Sequence, residues 1–254
     1  MKKNLQRAGA VLIALALWHL IAITIDSPIV LVTPVRTARR LLTIWREETF
    51  FPSVCFTLLR VLLGYVLGAL AGFFLAVPSS SHEWIETLAW PFVISARSVP
   101  VASLVVLCLI WLSSRNLSVL IVFLVVFPLM YQNILSGLKV RQTGLEEMAD
   151  VFRMSGWRRF RYIRLPALSP HLLSACKTTA GMAWKAAAAA EVIGTPPGSI
   201  GRQLYLAKTY LATEDLLCWT IVIIIMGTIT EKAVVFCLRM ILIRMGCLAT
   251  SRLS

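Results

Sequence analysis

Apolar stretches long enough to cross a lipid bilayer dominate this chain and constrain its fold more than any other feature. A bilayer core of about 30 Å takes roughly 20 helical residues at about 1.5 Å each. Stretches of this kind cover Gly9–Ile25, Val54–Val77, Leu117–Leu138, His171–Ile193 and Leu216–Ile243. A further one, Val99–Leu112, is short alone and extends back toward Phe92 through a break at Pro100. The predicted fold class is an all-α polytopic membrane protein with about six transmembrane helices. Within the second stretch Gly64, Gly68 and Gly72 recur at every fourth residue, a spacing that lets a neighbouring helix approach closely.

Composition agrees and excludes other classes. With 58% hydrophobic residues and a mean hydropathy of +0.80, the chain is too apolar for a soluble globular domain. A net charge of +13 would suggest nucleic acid in a soluble protein, but here the basic residues are scattered among the spans. They mark helix ends instead, so the expected environment is the lipid bilayer, with no nucleic acid. Counting Lys and Arg per loop favours cytoplasmic N- and C-termini. The cluster Arg36 to Arg46 dissents, offset in part by Glu47 and Glu48. The first span follows the basic MKKNLQR and lacks a small-x-small exit, so it is expected to stay as an anchor. The six cysteines form no CxxC pair and read as small hydrophobes. His19, His82 and His171 match no metal-ligand spacing, and no nucleophile motif is present, so neither a metal site nor an enzyme is expected. Residues 1–53 hold the first helix and an outer loop, 54–245 the core, and 246–254 a tail. Within the core, 194–215 is an outer connection expected to turn and then form a short surface helix.

The most informative segment is polar. Between the fourth and fifth spans lies EEMADVFRMSGWRRFRYIRLP, Glu146 to Pro166. Thr143 with Glu146 fits a capping box, and acids fill the first turns of the helix it would start. Leu145, Met148 and Phe152 share one face; Ser155 and Gly156 break the helix, and Ser155 can cap a second. On that second helix Trp157, Phe160 and Ile163 share a face, Pro166 ends the motif, and Ser169–Pro170 reads as the start of the next span. Two amphipathic helices back to back on the cytoplasmic side suit a docking element with large apolar anchors and a charged rim. A segment lying on anionic lipid is the competing reading.

EMADVFRMSGWRRFRYIRLP resembles the EAA loop of bacterial ABC importer permeases. Glu147, Met148 and Ala149 stand for E-A-A, and Leu165–Pro166 for the closing L-P. In that register the family glycine falls at Arg153, with Gly156 three residues late. TLLRVLLGYVLGALAGFFLAV, ARSVPVASLVVLCLIWL and AWKAAAAAEVIG are similar to segments of the nitrate/sulfonate/taurine branch, although Leu112 replaces a usual Phe. The resemblance implies a MetI-like permease subunit of the inner membrane. It implies further that Glu147, Met148, Ala149, Phe152, Ser155, Gly156, Trp157, Leu165 and Pro166 form a coupling helix. That helix would seat in one of two separate ATPase subunits, beside a second permease copy and an extracytoplasmic binding protein. The chain has no G-x-x-x-x-G-K-[ST], so ATP and Mg are expected on the ATPase and no cofactor on this chain. The branch suggests small anions such as nitrate, sulfonates or taurine. A secondary transporter is the alternative; it would need ion-coordinating carboxylates and usually an inverted repeat.

Charges at membrane depth are costly and are functional candidates by default. Lys185 sits amid AAAAA, where it either lines the pathway and favours an anion or pairs with an acid. Glu191 near Gly194 is a gate or a loop anchor. Trp184 either lines the pathway or packs against a neighbouring helix. Lys177 is expected to snorkel, and Glu231 and Lys232 to be structural.

Overall fold

The computed structural model describes residues 2–140 and 143–247, and among them all regular structure is helical. Helix α1 (Lys2–Ile25) leads to a short amphipathic α2 (Pro34–Ile44) and a long α3 (Phe50–Ser79). Next come α4 (Glu83–Ser98), α5 (Val101–Cys108) and α6 (Ser114–Lys139). The loop of interest holds α7 (Thr143–Val151) and α8 (Gly156–Arg159), followed by one π-helical turn at Phe160–Arg164. Helices α9 (Leu165–Gly194), α10 (Ile200–Thr209) and α11 (Thr213–Arg244) complete the fold.

Helices α3, α6 and α11 are each long and apolar enough to cross a membrane, and Gly9–Ile25 of α1 is a shorter apolar helix. The stretch expected to pass through Pro100 as one span is instead two helices, α4 and α5, bent by 100°. Pro100 has no N–H to donate, and its ring holds Val99 in an extended conformation (φ −75°, ψ 129°), which ends α4 there.

Helix α6 sits centrally, with α3 on one side and α9 on the other, and α11 packs against α9. Helices α3 and α6 run parallel, and the glycine stripe is where they meet. A Cβ on Gly68 would lie 3.0 Å from Val126 Cβ, and one on Gly72 would lie 2.9 Å from Met130 Cβ. Val61, Tyr65, Val122, Val126, Ile134, Leu168 and Ala183 form the core around this contact. Outside it, Leu59, Leu70 and Phe74 of α3 and Ile224, Ile229 and Phe236 of α11 stay exposed, as suits helices whose solvent is lipid.

The two ends of the bundle differ. One gathers the starts of α3, α6 and α11 with the end of α9; Arg60 Nε donates to the Arg115 carbonyl there at 2.6 Å. Helices α2 and α10 lie across that end. Two arginines of the basic cluster on α2 have acidic partners: Arg40 bonds both Asp215 and Glu47, and Arg36 lies 4.0 Å from Glu214. The carboxylate of Asp215, more than any other group, holds the Arg40 guanidinium in its charged form. The opposite end gathers α7, α8 and the start of α9 with the ends of α3 and α11. A groove of about 850 Å³ is lined there by Phe73, Trp157, Phe160, Leu238 and Leu242, among others.

Gly68→Val is expected to force α3 off α6 and to destabilise the subunit by about 1–3 kcal/mol. Gly9→Ala, where a Cβ meets nothing within 4 Å, is expected to be neutral. Thermal unfolding in detergent checks both, and equal melting temperatures would contradict the close-packing account.

Candidate functional site

Helix α7 stands off the bundle with its apolar face uncovered. Met148 is 45% exposed and Phe152 72%, while Ala149 is fully buried and fixes which side faces inward. Leu145 and Glu147 are exposed as well. Val151, 80% exposed, belongs to the same uncovered face, at i+3 from Met148. The sequence reading missed it because the i, i+3, i+7 comb from Leu145 passes over this position. The capping box at the start of α7 depends on the Thr143 side chain, which lies outside the described residues.

Two acids of α7 point back into the loop. Asp150 pairs with Arg159, and Glu146 lies 3.5 Å from Arg164. They clasp α7 onto the following helix, a role beyond the dipole effect expected of them. Glu147 makes no ion pair among the described residues and stays on the rim.

The turn after α7 is a left-handed cap. Arg153 has φ +48°, the Arg153 N–H donates to the Asp150 carbonyl at 3.0 Å, and the Met154 N–H donates to the Ala149 carbonyl at 2.9 Å. This bond pair is the Schellman pattern, whose left-handed residue is usually glycine. The chain thus places an arginine where the backbone calls for glycine. Gly156 is not the turn residue: it opens α8 in a conformation any residue adopts, with open space around it.

The second half of the loop departs from expectation. Ser155 is extended and precedes α8, but its side chain makes no capping bond. Trp157 is 71% exposed and stacks on Phe160 with centroids 6.0 Å apart. Pro166 does not end the motif, and Ser169–Pro170 does not start a span. From Gly156 to Gly194 the chain is one continuous helix, with Leu165 buried and both prolines inside it. The π turn explains this continuity. The Leu165 N–H bonds the Phe160 carbonyl five residues back, and the widened turn admits a Pro166 that has no N–H to give. Ser169 Oγ donates to the Leu165 carbonyl at 3.0 Å, which is interior helix geometry.

Further along α9 the predicted pathway residues separate. Trp184 is 2% exposed and faces α11, where a Cβ on Gly227 would lie 3.6 Å from its ring. Glu191 is 1% exposed. Its Oε2 accepts from Thr57 Oγ1 at 2.8 Å and from the Gly201 N–H at 3.2 Å, which ties α9 to α3 and α10. Lys185 alone of the three is exposed. It belongs to a stripe of small and polar residues: His171, Ser174, Thr178, Gly181, Lys185 and Ala188, each exposed or half-buried. Lys177 leaves that stripe to approach Glu231 of α11 at 4.0 Å.

A helical membrane bundle with a polar stripe along one of its long helices fits a transport permease. Residues 64–244 match the family described as binding-protein-dependent transport system inner membrane component, and the chain belongs to that family. It is an ABC importer permease of the nitrate/sulfonate/taurine type, a multi-pass protein of the inner membrane. It is 24% identical to the taurine transport system permease protein TauC of Escherichia coli, over 88% of this chain and 83% of that protein. It is also 24% identical to SsuC of Bacillus subtilis, provisionally assigned as an aliphatic sulfonates transport permease, over 87% of this chain and 81% of that one. The formylaminopyrimidine transport permease protein ThiX of Halalkalibacterium halodurans is 25% identical over 74% and 75%. These relatives support the ATP-driven importer rather than a secondary transporter.

Arg153→Gly is expected to stabilise the loop by roughly 1 kcal/mol, since a non-glycine residue in the left-handed region costs about 1–2 kcal/mol. Arg153→Val is expected to do the opposite. Limited proteolysis of the loop checks the pair; unchanged or reversed cleavage rates would contradict the strained turn.

Proposed function

We propose that α7 is the coupling element of the subunit and that its uncovered face seats in a cleft of a separate ATPase. The observation that carries this is the exposure of Met148, Val151 and Phe152 together at the end of a helix joined to the next by two ion pairs. Large apolar side chains left in water are costly unless a partner covers them. Two ATPase subunits, carrying ATP and Mg, serve two permease copies in a homodimer, and an extracytoplasmic binding protein delivers the solute. The α7 end faces the cytoplasm in this reading, together with both termini.

The polar stripe of α9 supports a second element of the reading. A face of Ser, Thr, Gly and Lys gains nothing from lipid, so it lines the pathway or meets the second permease copy. Lys185 on it favours an anion, which agrees with the sulfonate and taurine named for the relatives. Glu147 stands on the rim of the docking loop, Ser155 and Gly156 join its turn to α8, and Trp157 flanks them.

Truncating an interface anchor costs about 2 kcal/mol or more, roughly thirtyfold in affinity. Phe152→Ala is therefore expected to leave an inserted permease that captures its ATPase poorly, while neutralising Arg158 and Arg161 leaves capture intact. Pull-down of the ATPase decides: the reverse pattern would mean that the loop lies on lipid. Lys185→Ala is expected to lower uptake of taurine or an alkanesulfonate at least tenfold with insertion unchanged. Wild-type uptake of whichever solute the importer carries would remove Lys185 from the pathway.

A further inference from the structure

Helix α10 is fastened at its first turn by side chains from two other helices. A helix begins with N–H groups that have no partner within it. In α10 the first three are all bonded. The Ile200 N–H donates to Thr57 Oγ1 of α3 at 3.0 Å, the Gly201 N–H to Glu191 Oε2 of α9 at 3.2 Å, and the Arg202 N–H to the capping Ser199 Oγ at 3.0 Å. Thr57 in turn donates to the same Glu191 oxygen at 2.8 Å. Thr57, Ser199 and Ile200 are all but fully buried, as is Glu191, so no water competes for these bonds.

The backbone is built for the same contact. Gly201 lies so close that a Cβ there would overlap Glu191 Cβ and the peptide that follows it. Thr195, in the left-handed conformation at φ +44°, ends α9 by donating its N–H to the Glu191 carbonyl at 2.8 Å. One residue therefore holds the end of α9, the loop and the start of α10. The other carboxylate oxygen, Oε1, is buried beside Ser118 Oγ of α6. A buried carboxylate placed this way is retained at a cost, which argues for a task beyond filling space.

We propose that Glu191 is a positioning residue that locks α10 to the α3–α9 pair, so that α10 moves as one body with the far end of α9. It does not touch the solute. Because α9 runs without interruption from the docking loop, the latch carries a displacement made at the ATPase end to the helix covering the opposite end. Without it, α10 would stay behind when α9 moves.

The test uses the permease assembled with its ATPase in lipid vesicles, with trypsin applied on the α10 side. Cleavage after the exposed Lys208 is read by fragment mass, with and without ATP trapped by vanadate. In the unmodified transporter, cleavage is expected to be slow and to change at least threefold on trapping. In Glu191→Ala and in Gly201→Ala it is expected to be about tenfold faster and the same in both states, while ATPase capture and ATP hydrolysis persist. Glu191→Gln is expected to behave as the unmodified protein, because its amide oxygen accepts both bonds. Nucleotide-dependent protection retained in Glu191→Ala would overturn the proposal. So would Glu191→Gln failing as Glu191→Ala does, loss of ATPase capture in both latch variants, or no response to trapping in the unmodified transporter. The inference rests on the coupling reading above, and the two fail differently: a wrong docking loop shows in capture by Phe152→Ala, a wrong latch in Lys208 cleavage.

Discussion

The hydrogen bond from Leu165 to Phe160 is the contact on which the working arrangement depends. In lipid a backbone polar group has no water to fall back on, and a proline early in a span removes a donor and crowds the carbonyl four residues before it. This chain has two, Pro166 and Pro170, at the point where the docking loop enters the bundle. Bonding five residues back at that point widens one turn and admits Pro166, and the helix then continues through Pro170. The consequence is mechanical. Thirty-nine residues from Gly156 to Gly194 form a single rod, roughly 55–60 Å at about 1.5 Å per residue. One end carries the arginines that clasp α7, and the other the glutamate that holds α10.

The rest of the bundle gives that rod something to move against. Helices α3 and α6 meet through glycines with almost no slack, so the pair behaves as a wall rather than a cushion. Helix α9 lies on α6 and presents to that wall its small and apolar side, Ala175, Ala183 and Ala187. Its other side is the polar stripe with Lys185, left open within one subunit. The polar stripe runs along this rod, and the uncovered apolar face belongs to α7, clasped to the rod's end by Arg159 and Arg164.

Much of this was legible in the residues, and the exceptions have identifiable causes. Hydrophobic periodicity located the long helices because length and apolarity are what the bilayer demands. The glycine stripe announced the α3–α6 contact, and the loop's comb of Leu145, Met148 and Phe152 announced an exposed face. Pro100 was read as a break inside one span; that it turns the chain through 100° depends on how α4 and α5 pack, which no local pattern encodes. Pro166 and Pro170 were read as boundaries because a proline usually is one, and a π turn leaves no mark in the sequence. Ser155 and Gly156 suggested the helix break, but the turn falls at Arg153, where the resemblance puts the family glycine, and the backbone there takes the glycine conformation with an arginine in place. Lys185 and Glu191 looked alike as charges at depth. What separates them is helical phase: six residues apart, they fall on faces of α9 that see different neighbours.

Where Phe152 goes in the assembled transporter decides the coupling role of α7. A photoreactive phenylalanine analogue placed at position 152, in the permease purified with its ATPase from native membranes, reads its neighbour on irradiation. A covalent product with the ATPase subunit as the main adduct is the predicted result. Adducts formed with lipid or with the permease itself, and none with the ATPase, would contradict the coupling role of α7.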